Sequence, residues 1–176
     1  MNTTLGILAH VILLSIAAVN AQHSAMPQGM SHEEHLRQIQ KDERLTQQGG
    51  PAMGFDQDKT VHHFLLRKTG GEIVVAAMDP ADSESIDQIR KHFREIAASF
   101  GEGLFDRPVA THGEMPPGAE HMAANTQRIA YRYEERVNGA AVLIATADPP
   151  TLRAIHDFLR YQIVEHRTGD PLTPQR

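Results

Sequence analysis

The chain is unusually rich in imidazole, with 11 histidines among 176 residues and no cysteine. An imidazole changes charge near neutral pH, so it serves as general base, proton donor or metal ligand. The densest chemistry lies in Met53-Gly-Phe-Asp-Gln-Asp-Lys-Thr-Val-His-His-Phe64, which puts Asp56, Asp58, Lys59, His62 and His63 into one short stretch. A carboxylate such as Asp56 can hold a histidine ring in orientation for acid–base work, with His62 or His63 as the base. It can equally cap a turn or pair with Lys59. If the segment is a strand, the adjacent histidines point to opposite faces, so only one of them joins any given site.

Four further histidines complete the candidate set. His112 and His121 fall in Thr111-His-Gly-Glu-Met-Pro-Pro-Gly-Ala-Glu-His-Met122, beside Glu114 and Glu120. Such a connection between regular elements reads as a functional loop. His156 and His166 sit on one helical segment, about 15 Å apart along its axis, too far to share a single ion. His166 falls in the last turn, where the helix dipole favours a protonated ring. His92 flanks the apolar stripe of an earlier helix. A metal needs three or four donors converging at about 2 Å. His62, His63, His112, His121, His156 and His166 are the candidate ligands, for copper or zinc. No HExxH or other fixed ligand spacing is present. A separate group, His23, Met26, Met30, His32 and His35, offers imidazole and thioether donors suited to copper. The alternative for that group is a solvated linker.

The elements that must position these residues are legible from periodicity. His63–Lys68 and Glu72–Met78 are β-branched and apolar around Thr69-Gly70-Gly71, which predicts a hairpin. Asp79-Pro80-Ala81-Asp82 then opens a helix whose stripe is Ile86, Ile89, Phe93, Ile96 and Phe100. The second half repeats the plan. Arg128–Arg136 and Ala140–Thr146 flank Asn138-Gly139, and Asp148-Pro149-Pro150 opens a helix with Leu152, Ile155, Leu159 and Ile163 on its stripe. The expected fold is therefore α+β: two hairpin-plus-helix units joined into a four-stranded antiparallel sheet with both helices on one face. Register in the first hairpin is left open, because bulk turns Phe64 inward whereas alignment of the two glycine turns favours Leu65. Its second apolar face is expected to be covered by the 22–52 segment or by a second subunit, making a homodimer through the first hairpin.

The flanks have their own signatures. Residues 1–21 carry an apolar run and a small-x-small ending at Val19-Asn20-Ala21, as in a secretory signal, although no basic residue precedes the run. Export to the periplasm or outside the cell is the expected address, with no stable membrane insertion after cleavage. If Gln22 becomes the first residue, the amino terminus and His23 could chelate Cu(II). Residues 22–52 form a mobile or weakly helical lead-in, in which Ser31 and Glu34 resemble a capping box before a short, loosely attached helix to about Gln47. Gly49-Gly50-Pro51 is expected to break that helix. Residues 53–170 make the domain, and 171–176 an extended tail.

Composition narrows the function classes. A formal charge of −5 gives no basic footprint for nucleic acid. No GxSxG, P-loop, dinucleotide fingerprint or haem-attachment motif occurs, and tryptophan is absent. The Met53–Phe64 segment and His156-Asp-Phe-Leu-Arg-Tyr-Gln-Ile-Val-Glu-His-Arg-Thr-Gly-Asp170 resemble those of a group of small exported bacterial proteins of unknown function. The likeness covers most of residues 53–172. Members are sometimes labelled aspartate carbamoyltransferase, but this chain has neither that enzyme's Ser-Thr-Arg-Thr phosphate motif nor the length for its two domains. The resemblance points to Asp56, His62, His63, His156, His166 and Asp170 as places to look, without giving them roles. Three functions are therefore expected: an exported binding or accessory protein with a histidine-based site, a small hydrolase or lyase using a His/Asp pair, or a non-catalytic interaction module.

Overall fold

The computed structural model describes residues 29–175. The signal-like segment, His23 and Met26 lie outside the described residues. Within them the fold is α+β, with one four-stranded antiparallel sheet and helices packed on one of its faces.

The strands are β1 (Thr60–Arg67), β2 (Gly70–Ala77), β3 (Ala130–Arg136) and β4 (Gly139–Ala145), in the spatial order β1-β2-β4-β3. The two hairpins thus meet through their second strands, which are the central pair. Register carries one row of side chains across the whole sheet: Phe64 opposite Ile73, Ile73 opposite Val142, Val142 opposite Tyr133. A parallel row runs Leu66–Gly71–Ile144–Tyr131. Phe64 and Leu66 are buried while Leu65 is not, so bulk decides the register and the glycine-turn alignment misleads. Burying a phenyl or leucyl side chain is worth about 1.5–3 kcal/mol. A one-residue slip would forfeit that along the entire row.

Two long helices cover this face. The first helix of the folded core, α2 (Ser83–Gly101), lies over β3 and β4, and α5 (Pro149–Glu165) lies over β1 and β2. Each begins at an aspartate cap: Asp82 accepts from the Ser85 N–H at 3.1 Å, and Asp148 from the Thr151 N–H at 3.0 Å. In α5, Pro149 and Pro150 fill the first positions, where a missing N–H costs no helical bond. Gly71 is what lets α5 come down on β2. A Cβ there would lie 2.2 Å from Leu159 Cδ1 and 2.6 Å from the Leu65 carbonyl oxygen.

Three shorter or peripheral helices complete the layer. The connection expected to be a loop is irregular over 113–118, but α3 (Asp106–His112) runs into it and α4 (Ala119–Ala124) completes it. Its apolar residues Phe105, Ala119 and Met122 are buried in the common core, so burial overrides the loop-like composition. The lead-in helix α1 spans His32–Met53 and packs on α3. Its start is the expected capping box, with the Ser31 N–H donating to Glu34 at 2.8 Å and the Glu34 N–H to Ser31 Oγ at 3.2 Å. Its end differs from expectation, since the helix continues through Gly49-Gly50-Pro51 to Met53, which packs against the core.

The outer sheet face stays half-exposed, with Val61, Leu65, Val74 and Leu143 among ion pairs of Arg67 and Arg136 with Glu72. Because α1 packs on α3, on the helical side, it is not the cover expected for that face. The tail docks along edge strand β1: the Gln175 N–H donates to the Leu66 carbonyl at 2.9 Å, and the Phe64 N–H to Asp170 Oδ2 at 2.9 Å. An edge whose groups are satisfied this way is poorly suited to pairing with another strand.

A histidine-lined cavity as candidate functional site

Between the sheet, α2, α3 and α5 lies a cavity of about 70 Å³. His62 enters from β1, His92 from α2, His112 from the end of α3, and His166 from the residue that caps α5. The apolar wall includes Phe55, Phe64, Phe93 and Phe158, and Arg107 and Gln162 also line the space. Met53, the last residue of α1, belongs to the lining, so the lead-in helix helps to shape the site.

The rings form a continuous series. Phe55 stacks on His62 at 5.8 Å between centroids and meets His92 edge-on at 5.4 Å. His62 stacks on His166 at 5.8 Å, and His166 meets His112 edge-on at 5.2 Å. Hydrogen bonds fix the tautomers where a partner has only one role. Arg107 can only donate, so His92 Nδ1 accepts from Nη1 at 3.2 Å and the ring is neutral. Arg107 also pairs with Glu95. His112 Nε2–H donates to Gln162 Oε1 at 2.9 Å.

Burial governs the charge of the cluster. It lowers the pKa of His62 to about 4, helped by neighbouring His63, and that of His92 to about 4, helped by Arg107 and His62. His166 falls to about 3, again through burial first and then through His112 and His62. The expected dipole-protonated ring at His166 is therefore incorrect. The terminal carbonyls act near the surface of a helix end, whereas this ring is withdrawn from water, and desolvation is the larger effect. At neutral pH these three imidazoles are uncharged, each with one donor and one acceptor nitrogen.

Among the described residues, His62 Nε2 and Gln162 Nε2 in this lining have no hydrogen-bond partner. Gln162 is only 4 % exposed. A buried donor left unpaired costs about 1–3 kcal/mol, so such groups in a cavity call for a ligand or ordered water.

The remaining candidates lie elsewhere. His63 faces outward and donates through Nδ1–H to Asp170 Oδ1 at 2.9 Å. Its ring side chain is 48 % exposed, while Asp170 is 9 % exposed and also accepts from the Phe64 N–H and Thr168 Oγ1–H. The carboxylate that orients His63 is thus Asp170, whereas Asp56 caps the turn before β1 by accepting from the Asp58 N–H at 2.9 Å. His156 is buried and clamps α5 to the hairpin turn, its Nε2–H shared between the carbonyls of Arg67 at 2.9 Å and Gly70 at 3.1 Å. His121 donates through Nε2–H to Thr151 Oγ1 at 3.2 Å. Of the six proposed metal ligands only His62, His112 and His166 share the cavity. Among the described residues no group of three or more His, Asp or Glu side chains is placed to hold a metal ion.

Gln162, Arg107 and Phe55 were not among the candidates from sequence. Gln162 carried a signal: it falls on the apolar stripe of α5 between Leu159 and His166, where a polar residue must find a partner. Arg107 carried none. No protein-family model matches this chain, and no curated protein or solved structure matches it.

Proposed function

We propose that this is an exported binding or accessory protein whose working site is the cavity lined by His62, His92, His112 and His166, taking a small uncharged molecule. The observation that carries the reading is the convergence of neutral imidazoles on an aromatic-walled space where, among the described residues, His62 Nε2 and Gln162 Nε2 lack partners. A concave, mostly apolar pocket with few convergent polar groups is the usual form of a small-ligand site. The copper or zinc cargo has less support, for want of three donors placed around one point. Export rests on the pattern of residues 1–21. Side-chain NMR of the histidine rings tests the site. Small neutral solutes should shift His62 and His166 signals while leaving His32 and His156 in place. Uniform or absent shifts across all four would remove the cavity as a binding site.

A second reading has its own observation. The His63–Asp170 pair has the geometry of a general base with its orienting carboxylate, and the ring is open to solvent. In that reading the protein is a small hydrolase or lyase, and His63→Gln abolishes turnover of a substrate that His92→Gln leaves unaffected. Loss of turnover in the cavity variant alone would reject it.

A further inference from the structure

Resting on the cavity as a binding site, we infer that its ligand is an uncharged amide- or urea-type compound of about four or five heavy atoms, held through its carbonyl oxygen by Gln162 and through its other polar end by His62. Three properties of the site converge on that class.

Size comes first. A cavity of about 150 Å³ holds benzene, and this one, at about 70 Å³, is roughly half as large. A compact planar group fills it, whereas a six-membered ring, a nucleobase or a haem would project out of it.

Charge comes second. The guanidinium of Arg107 in the lining is engaged with Glu95 and with His92 Nδ1. Among the described residues no carboxylate lines the space. An ion entering it would be stripped of water without a counter-charge waiting, and burial of an unpaired ion is far more costly than burial of a neutral polar group.

Hydrogen-bond complementarity comes third. Gln162 Oε1 lies 2.9 Å from His112 Nε2, and with the amide so placed its Nε2 is a donor in need of an acceptor. A carbonyl oxygen supplies it. His62 Nε2 is a donor in one tautomer and an acceptor in the other. A ligand carrying both C=O and N–H satisfies either. Amides and ureas carry both in one plane, and Phe55 and Phe64 offer apolar walls for their faces.

The experiment uses the full chain at pH 7.5 and three probes of equal size: acetamide, acetate and acetone. Histidine-ring NMR is read during titration. Acetamide is expected to shift the His62 and His166 resonances saturably, with a dissociation constant of about millimolar, as four heavy atoms allow. Acetone, lacking the N–H, is expected to bind several-fold more weakly, and acetate at least tenfold more weakly. Gln162→Met, which keeps the volume and removes the donor to the carbonyl oxygen, should weaken acetamide at least tenfold and acetone along with it. His62→Leu, read at the His166 resonance, tests the other end of the ligand whether or not Gln162→Met folds: acetamide should weaken at least tenfold while acetone, lacking the N–H, stays within threefold. Equal binding of acetate and acetamide, or unchanged affinity in the variant, overturns the ligand class while leaving the cavity a binding site. Failure of all three probes to move either resonance overturns both.

Discussion

Lowering the pH from 7.5 to 5.0 should unfold this protein far more readily than an ordinary domain of its size. His62, His92 and His166 have folded pKa values of about 4, 4 and 3, against about 6.5 in an unfolded chain. A folded pKa below the unfolded one means that the unfolded chain takes up the proton first. Their contribution is therefore fully present above pH 6.5 and is lost as the pH falls from 6.5 toward 4. At pH 5.0 each such group costs about 2 kcal/mol by linkage. Because the rings touch one another, their titrations are coupled, and the total is about 4–6 kcal/mol. Set against a typical domain stability of 5–15 kcal/mol, that is a large fraction. The window isolates the histidines, since carboxylates held low by caps and ion pairs, such as Asp82 and Asp148, lose their protective bonds only well below pH 5. Urea unfolding followed by far-UV circular dichroism at pH 7.5, 6.5, 5.5 and 5.0 measures the loss directly. Replacing one ring, as in His92→Gln, should reduce the drop by about 2 kcal/mol whatever it does to stability at pH 7.5. A free energy that changes by less than about 1 kcal/mol between pH 7.5 and 5.0 would refute the assignment of these rings as buried and neutral.

Three substitutions probe the scaffold that holds the cavity. His156→Ala removes the donor shared by the Arg67 and Gly70 carbonyls and leaves a void, and should cost about 2–4 kcal/mol in urea unfolding. Asp170→Asn weakens the bond to His63 and the seat of the tail on β1; hydrogen exchange at the Phe64 amide should speed up about tenfold, a loss near 1.4 kcal/mol. Gly118→Ala places a methyl 2.0 Å from the Ala154 carbonyl oxygen at a φ of 81°, and should lower stability by more than about 2 kcal/mol. Gly101→Ala, where nothing lies within 4 Å, is its control and should be neutral or slightly stabilising by thermal melting.

The parts of the fold that follow from local chemistry were legible in the sequence. Thr69-Gly70-Gly71 and Asn138-Gly139 announce hairpins, Gly70 through its φ of 151° and Gly139 through the close approach of the Val75 carbonyl oxygen, and Asp82 and Asp148 announce helices because a carboxylate before an apolar stripe satisfies the first N–H groups. The connection from Thr111 to Met122 is a loop only over 113–118, and its flanks escape a sequence reading for the converse reason. Its helices are short, glycine- and proline-flanked, and stable only because Ala119 and Met122 reach a core contributed by distant segments. The site shows the same division. His62, His112 and His166 were named from residue type, but sorting them from His63, His121 and His156 required tertiary partners. The decisive ones, Asp170 for His63 and the two hairpin carbonyls for His156, lie 107 and up to 89 residues away.

The same residue type therefore takes opposite roles within a few ångströms of chain. His62 and His63 are neighbours on β1, yet one faces an aromatic cavity and loses its charge while the other faces solvent beside a carboxylate. The sheet's alternation makes this division compulsory. It also ties the two sites mechanically: Asp170 grips both the His63 ring and the Phe64 amide, and Phe64 packs against His166 at 5.4 Å between rings. The short turn from His166 to Asp170, with Arg167 at φ 51° and Gly169 at φ 75°, is held in its left-handed conformations by those anchors. Loosening Asp170 would let this turn relax and withdraw His166 from the cavity wall. A change at the solvent-exposed pair should then be felt at the buried rings, so the Asp170→Asn variant should also move the His166 ring resonance. If the His63 signal shifts in that variant while His166 stays fixed, the two sites are independent and the tail serves only to protect the edge of β1.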